Sequence, residues 1–221
     1  MIVDLWMTRD PITITPSTSI SEAALLLCRH HVRRLVVVDR TRDEARVVGI
    51  VSAGDLARAF PPDLNPTSSA VTERSVPAPV ATIMARKLCT VDAGTTIEDA
   101  AHALRANKIG ALPVMQGARL VGIVTESDVF RAFVEMSDPE TPGVRITFDL
   151  GEDEDVMETM VGLCRQHGTR IASLFSFHHR DDRNDERRRL GVVRLAGAVP
   201  DGLVDAIWKS HNRVLSVVRR S

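Results

Sequence analysis

Hydrophobic and polar positions in the first part of the chain form short aliphatic runs separated by segments of helical spacing. Residues 35–38 and 47–51 are almost entirely aliphatic, which is the composition of strands buried on both faces. Residues 22–30 place apolar side chains at helical spacing after Ser19 and Ser21, either of which can cap a helix. With a β-rich start at residues 12–14 and a helix over residues 55–60, the pattern predicts strand, helix, strand, strand and helix.

The same unit occurs a second time. Met7 aligns with Met84 at an offset of 77 residues, and identities continue at that offset as far as Val37 and Val114. After a loop that is four residues longer in the first copy, the offset becomes 73 residues. The second copy therefore predicts a helix ending at residue 107, strands at 111–115 and 120–124, and a helix at 127–136.

A third region has a different pattern. Strands are predicted at residues 145–150, 171–177, 190–196 and 214–218. One helix follows the four acids at 152–155 and ends at Gly168, and another follows Pro200. The order strand, helix, strand, strand, helix, strand is that of a ferredoxin-like domain. Residues 178–189 are rich in arginine and acids and are predicted to form a solvated hairpin loop.

These patterns divide the chain into four parts. The first repeat occupies residues 1–60 and the second occupies residues 80–136. A linker at 61–79 holds five prolines. The ferredoxin-like region occupies residues 144–221, and the fold class is mixed α/β (α+β).

Composition excludes several classes of function. The 221 residues include 28 basic and 29 acidic side chains, a balance that argues against nucleic acid or an anionic membrane as the main partner. We expect neither a signal peptide nor a membrane span, because the N-terminus and the apolar runs lack those patterns. The three cysteines are far apart, which argues against a disulfide framework or a zinc site and predicts core thiols in a cytoplasmic protein.

Candidate chemistry centres on a doubled motif, Gly-Ile-Val-Ser/Thr-x-x-Asp, at residues 49–55 and 122–128. Thr125 and Asp128 stand three residues apart at a predicted helix start, which matches a capping box. The same groups suit a nucleotide, because the hydroxyl can bind a phosphate and the carboxylate can accept hydrogen bonds from a ribose diol. On the residues alone, both interpretations remain open.

Residues 1–136 resemble a tandem pair of cystathionine-β-synthase (CBS) domains, also called a Bateman module. The resemblance rests on the doubled motif, on Met-Thr-Arg-Asp-Pro at 7–11 with Ile-Met-Ala-Arg at 83–86, and on Gly-Ala-Leu-Pro-Val at 110–114. Such pairs bind adenosine-containing ligands. The resemblance therefore implies a non-enzymatic regulator that needs no cofactor and binds AMP, ADP, ATP or S-adenosylmethionine.

The resemblance also implies the contacts with that ligand. The ribose carboxylates would be Asp55 and Asp128, and the phosphate-side hydroxyls would be Ser52 and Thr125. The other candidates belong to the first strand of each copy, to the aliphatic strands that can sandwich an adenine, or to the cations before the second strand: Thr13, Ile14, Arg33, Arg34, Ile50, Thr90, Val91, Lys108, Ala111, Pro113 and Ile123.

The two copies differ at one point of this set. Arg33 and Arg34 stand in the first copy where the second copy has Gly110 and Ala111. Arg33 can either line the phosphates or fill the cleft. The two sites are therefore not expected to be equivalent.

Residues 144–221 resemble an ACT-type regulatory domain in pattern. Such domains often bind amino acids at the first strand-to-helix loop, usually through a Pro-Gly turn. Here the loop has Leu150 and Gly151 followed by four acids and no proline, which favours a dimerising sheet over amino-acid binding. The resemblance to CBS pairs, which usually associate further, implies a homodimer. A CBS pair followed by an ACT-like domain is the arrangement of the AcuB-type proteins of acetoin utilisation.

Two other functions remain open. In a structural adaptor, the Ser/Thr and Asp pairs would act only as helix caps. An enzyme acting on the nucleotide would need a base or a metal near the phosphates, and His31 is the candidate closest in sequence. A sensor, in contrast, would transmit its state to a regulated protein that the sequence does not identify.

Overall fold

The computed structural model describes residues 1–41, 45–59, 77–137, 142–151, 155–181, 186–209 and 213–220. Most of the predicted linker, Phe60 and most of the acidic run at 152–155 lie outside these residues. The chain divides into two compact units, Met1–Ala132 and Phe133–Ser221. Each unit has its own hydrophobic core, and each is described separately below.

The elements of the first unit follow the predicted repeat. In chain order they are β1 (Thr8–Arg9), β2 (Thr13–Ile14), α1 (Ile20–Arg29), β3 (Arg34–Asp39), β4 (Arg46–Ser52), α2 (Ala53–Ala59), β5 (Val91–Asp92), α3 (Ile97–Asn107), β6 (Ala111–Gln116), β7 (Arg119–Thr125) and α4 (Glu126–Ser137), the last of which begins in this unit. Ser19 caps α1 as predicted, because its hydroxyl accepts the N–H of Glu22 at 3.1 Å. Thr96 caps α3 in the same way.

The two copies form two sheets that pack against each other. One sheet has the strand order β2-β3-β4 and the other has the order β1-β7-β6-β5. Val36 and Val38 of β3 meet Ala111 and Ile123 of the second sheet in a shared apolar cluster. The central strands are therefore buried on both faces, as their continuous aliphatic composition predicted.

The opening residues of each copy pack on the other copy. β1, from the start of the first copy, pairs with β7 of the second, with Thr8 opposite Ile123. In the reverse direction, Ala85 exchanges two backbone hydrogen bonds with Ile50 of the first copy, at 3.1 and 2.9 Å. The two repeats in the sequence are therefore not two self-contained bodies, because each sheet or core is completed by the other copy.

Gly49 and Gly122 make this exchange possible. Both glycines lie inside strands, Gly49 in β4 and Gly122 in β7. A Cβ atom on Gly122 would lie 2.4 Å from Sδ of Met7 and 3.0 Å from the carbonyl oxygen of Thr8. A Cβ atom on Gly49 would lie 2.6 Å from Sδ of Met84. The motif glycines thus leave room for the buried methionine of the opposite copy.

The second unit has the predicted ferredoxin-like order. Its elements are β8 (Gly143–Asp149), α5 (Asp155–Gln166), β9 (Arg170–Asp181), β10 (Glu186–Ala196), α6 (Asp201–Lys209) and β11 (Arg213–Arg220). The strands form one antiparallel sheet with the order β11-β8-β10-β9. Ile146 and Phe148 of β8 are fully buried and share the core with Met160 of α5 and Ile207 of α6. Both helices therefore cover the same face of the sheet.

The predicted loop at residues 178–189 is wrong at both ends, and its residues 182–185 lie outside the part of the chain that the structure describes. β9 continues to Asp181 and β10 begins at Glu186, so that His178 pairs with Arg189 and Arg180 pairs with Arg187. Backbone hydrogen bonds extend the hairpin although its outer side chains are polar and exposed. The sequence prediction missed these ends of the two strands because it relied on alternating apolar residues, and the residues here are polar on both faces.

The prediction of three core cysteines holds for only one position. Cys28 is exposed and Cys89 is partly buried, whereas Cys164 packs in the core of the second unit. Burial raises the pKa of the Cys164 thiol, because desolvation disfavours the thiolate. Cys28 faces outward because α1 buries a different stripe of residues.

In the part of the chain that the structure describes, no helix could span a membrane. Each described helix is too short or too polar to cross a bilayer.

The close packing of Gly122 on Met7 predicts a large effect of a small substitution. Gly122→Ala is expected to lower the free energy of unfolding by about 1–3 kcal/mol, because the added methyl group overpacks a buried contact. Urea unfolding followed by circular dichroism measures the change. As a control, Gly162→Ala on α5, where an added Cβ meets nothing within 4 Å, should instead add about 0.5–1 kcal/mol. An unchanged stability in Gly122→Ala would contradict the exchanged packing.

Candidate functional site

Each copy of the doubled motif forms a reciprocal capping box at a helix start. The backbone N–H of Thr125 donates to Oδ2 of Asp128 at 2.9 Å, and the N–H of Asp128 donates to Oγ1 of Thr125 at 3.3 Å. The Thr125 hydroxyl also donates to Oδ2, at 2.7 Å. Ser52 and Asp55 repeat these bonds at 2.8, 3.2 and 2.6 Å. The capping role is therefore confirmed, and it holds both carboxylates in a defined position.

An arginine one turn later binds the other oxygen of each carboxylate. Arg58 donates to Oδ1 of Asp55, and Arg131 donates to Oδ1 of Asp128 at 3.1 Å. Arg131 also donates to the carbonyl of Trp6 at 2.7 Å, and its guanidinium lies 5.9 Å from the centre of the Trp6 ring. Because a carboxylate oxygen has two lone pairs, each Oδ1 can still accept one further donor.

A cleft of about 250 Å³ opens beside Asp55. The first copy contributes the start of β3, the end of β4 and the start of α2, and the second copy contributes residues 85–89 and 108–111. The cleft is thus built from both copies, and the exchange of opening segments carries residues 85–89 to its wall. The Asp55 side chain is 19% exposed, compared with 12% for Asp128, so the first carboxylate is the more accessible.

Six of the predicted site residues line this cleft. They are Arg34, Ile50, Ser52, Asp55, Lys108 and Ala111. Four come from the first copy and two from the second. The structure therefore brings these six residues of the two copies to one cleft.

The first-strand candidates do not line the cleft at Asp55. Thr13 lines a separate cleft of about 430 Å³, where Arg40 donates to its Oγ1 at 3.1 Å. Ile14 is 6% exposed and belongs to the core of the first copy. Thr90 is exposed, and Val91 packs against the core of the second copy. The parallel pairing of β2 with β3 directs Ile14 inward.

Arg33 and Arg34 reach different parts of the second copy. Arg33 donates from Nη2 to Oγ of Ser127 at 2.9 Å, next to Asp128. The Arg34 guanidinium lies against Gly110, where a Cβ atom would be 1.9 Å from its Nη2. Gly110 therefore leaves the space that the Arg34 guanidinium occupies.

The remaining candidates belong to the second copy. Pro113 and Ile123 pair across β6 and β7 and are buried, and Ile123 joins the cluster between the two sheets. Thr125 is half-buried beside Asp128. Pro113, Ile123 and Thr125 thus belong to the strands that lead into the second motif. Arg33 is the neighbour of this motif from the first copy.

The predicted site residues do not include the other six residues of the cleft wall, which are Ala85, Lys87, Leu88, Cys89, Ile109 and Gly110. Lys87, Leu88 and Cys89 line it from the second copy, immediately before Thr90. The sequence feature that could have identified Lys87, Leu88 and Cys89 is their position directly after the Ile-Met-Ala-Arg segment at 83–86. The prediction instead assigned each motif to the first strand of its own copy.

No metal centre is evident in the described residues. No group of three or more His, Cys, Asp or Glu side chains lies close enough there to hold a metal ion. His31, the candidate base of the enzyme alternative, is exposed at the end of α1 with a left-handed backbone, φ 52°.

The comparison with protein families gives one match, which occurs twice. The CBS domain model matches residues 2–62 and 80–135, which together make up more than half of the chain. Protein MJ1404 of Methanocaldococcus jannaschii is 37% identical over 134 residues, which cover 59% of this chain and 31% of that protein. The chain thus spans less than half the length of that relative.

Two solved structures are similar to the same region. The CBS domain pair of protein MJ0100, in complex with 5′-methylthioadenosine and S-adenosylmethionine, has a TM-score of 0.50 and 27% identity. The similar region covers 61% of this chain and 97% of the MJ0100 chain. An AcuB-type acetoin utilization protein from Vibrio cholerae has a TM-score of 0.49 and 27% identity, covering 64% of this chain and 98% of its own.

Because Thr125 and Asp128 form one capping box at the start of α4, we expect that losing either side chain removes largely the same stabilisation. Thr125→Ala and Asp128→Ala should each lower the free energy of unfolding by about 0.5–2 kcal/mol. The double variant should cost clearly less than the sum, because both changes break the same box. Arg131→Ala should cost less than Asp128→Ala, since it leaves Oδ2 in the cap. Additive losses in urea unfolding would contradict a reciprocal box.

Proposed function

Because the chain belongs to the CBS domain family, we propose that it is a regulatory sensor that binds an adenosine-containing ligand in the cleft at Asp55. The observation that carries the proposal is the meeting of Asp55 from the first copy with Lys108 and Ala111 from the second. The complex of the MJ0100 pair with two adenosine compounds supports this class of ligand.

In the proposed complex, Asp55 binds the ribose. Its Oδ2 is committed to the capping box, which orients the carboxylate whether or not a ligand is present. Its Oδ1 accepts a bond from Arg58 and retains a lone pair for a ribose hydroxyl. A hydrogen bond from a diol to an ionised carboxylate is charge-assisted and therefore strong.

The rest of the cleft offers groups for the base and for an anionic substituent. Ile50, Ile109 and Ala111 provide apolar surface for an adenine ring. Arg34 and Lys108 provide cations. The volume of about 250 Å³ is near the lower end of the range for small-molecule sites, about 300–1,000 Å³, which suits a mononucleotide better than a large cofactor.

Regulation follows from a ligand that touches both copies. Binding would favour one arrangement of the two copies over others, and this difference is the signal a sensor transmits. We propose that the protein is not an enzyme, that it acts as a homodimer, and that the ferredoxin-like unit is an ACT-type domain that supports dimerisation. The regulated partner would be a protein that responds to the ligand-bound state.

A structural adaptor is the second candidate function. The capping boxes favour it, because Asp55 and Asp128 already have hydrogen-bonding partners on both oxygens. In an adaptor, these side chains would contribute only stability. The two functions differ in what ligands do to the folded protein.

A thermal shift series separates the two functions. With AMP, ADP, ATP, S-adenosylmethionine or 5′-methylthioadenosine at 100 times the dissociation constant, a ligand adds about 2.7 kcal/mol. For a chain of this size we expect a rise of about 5–10 °C in the melting temperature. Asp55→Ala should abolish the rise.

Asp99→Ala is the matched control. At the start of α3, the Thr96 hydroxyl donates to Oδ2 of Asp99 at 2.7 Å and accepts the N–H of Asp99 at 3.1 Å, and Asp99 does not line the cleft. Both variants lose a cap, so both should melt at lower temperature, but only Asp55→Ala should lose the response to ligand. A protein that responds to none of the five compounds would support the adaptor.

A further inference from the structure

The cleft at Asp55 carries unbalanced positive charge. Arg34, Lys87 and Lys108 line it, while the Asp55 carboxylate is paired with Arg58. A Cβ atom on Gly110 would lie 3.0 Å from Oε2 of Glu126, which puts that carboxylate at the edge of the cleft. Three cations therefore face one unpaired carboxylate, and the local balance is positive.

The corresponding positions at Asp128 lack this charge. At the offset of 77 residues, Asp10 corresponds to Lys87, His31 to Lys108 and Ala111 to Arg34. The backbone conformation matches at one of these pairs, because His31 and Lys108 are both left-handed, with φ of 52° and 53°.

Besides Arg131, which is paired with Asp128, Arg33 is a cation that bonds at the second motif. It stands at the position that corresponds to Gly110, and its Nη2 donates to Ser127. Asp10, the counterpart of Lys87, is acidic, so the second set of positions carries less positive charge than the cleft at Asp55.

We propose that the two sites of the CBS pair differ in ligand class. The cleft at Asp55 binds an adenosine ligand that carries phosphate groups, and the site at Asp128 does not. This inference rests on the proposed sensor function and adds to it the charge of the ligand and a stoichiometry of one phosphorylated nucleotide per chain.

The physical basis is the charge of the ligand beyond its ribose. Phosphate groups are anionic and bind lysine and arginine through charge-assisted hydrogen bonds. S-adenosylmethionine carries a sulfonium and an ammonium cation against a single carboxylate, and three cations in one cleft disfavour its net positive charge. 5′-Methylthioadenosine carries no charge and reports the adenosine contacts alone.

Isothermal titration with ATP and with 5′-methylthioadenosine at pH 8, where an ordinary histidine is neutral, tests the inference. ATP should bind with a stoichiometry of one, and its affinity should fall as salt rises from 50 to 500 mM. The affinity for 5′-methylthioadenosine should change little with salt. S-adenosylmethionine should bind at least tenfold more weakly than ATP at low salt.

Variants that remove one positive charge from the cleft test the role of its cations. Lys87→Ala and Lys108→Asn should each weaken ATP binding at least tenfold, equivalent to about 1.4 kcal/mol, and leave 5′-methylthioadenosine binding unchanged. Asparagine is chosen at position 108 because it tolerates the left-handed backbone there. Lys209→Ala, on α6 of the other unit, removes a charge remote in sequence and should change neither affinity.

The outcomes distinguish this inference from the function on which it rests. Two equivalent ATP sites, or S-adenosylmethionine binding more tightly than ATP, would overturn the charge asymmetry while the sensor function stands. Equal losses of ATP and 5′-methylthioadenosine binding in the lysine variants would also overturn it. Absence of binding by all three compounds and by AMP and ADP would overturn both proposals.

Discussion

The exchange of opening segments between the two copies is the constraint on which the first unit depends. Met7 packs on Gly122 and Met84 packs on Gly49, so each copy supplies a buried side chain to the other. A side chain at either glycine would overlap the methionine sulfur. Neither copy can complete its core alone, and the two copies are expected to fold as one cooperative body.

This constraint also forms the cleft in which we propose that a ligand binds. The exchange brings residues 85–89 of the second copy beside Ser52 and Asp55 of the first, and a composite cleft results. A molecule bound there contacts elements far apart in the sequence. Its binding energy is therefore coupled to the arrangement of the two copies, which is the physical requirement for a sensor.

The carboxylates in the motif serve stability first. Oδ2 of Asp55 and of Asp128 closes a capping box, and Oδ1 binds an arginine. A ligand at Asp55 would use capacity that the cap leaves free, so binding need not dismantle the helix start. The two copies can also differ at the cleft without a change in their cores. Lys87 and Lys108 lie outside the apolar clusters, and so do their counterparts Asp10 and His31.

The sequence by itself determined the repeated elements, the ferredoxin-like order of the second unit and the carboxylates at residues 55 and 128. These features follow from local periodicity and spacing, which each segment carries in its own residues. Only the tertiary structure decided that β1 pairs with β7, that Asp55 meets Lys87 and Lys108, and that the hairpin extends to Asp181 and Glu186. Backbone pairing between distant segments leaves no side-chain pattern in either one, so the partner of each motif became visible only when both copies were folded together.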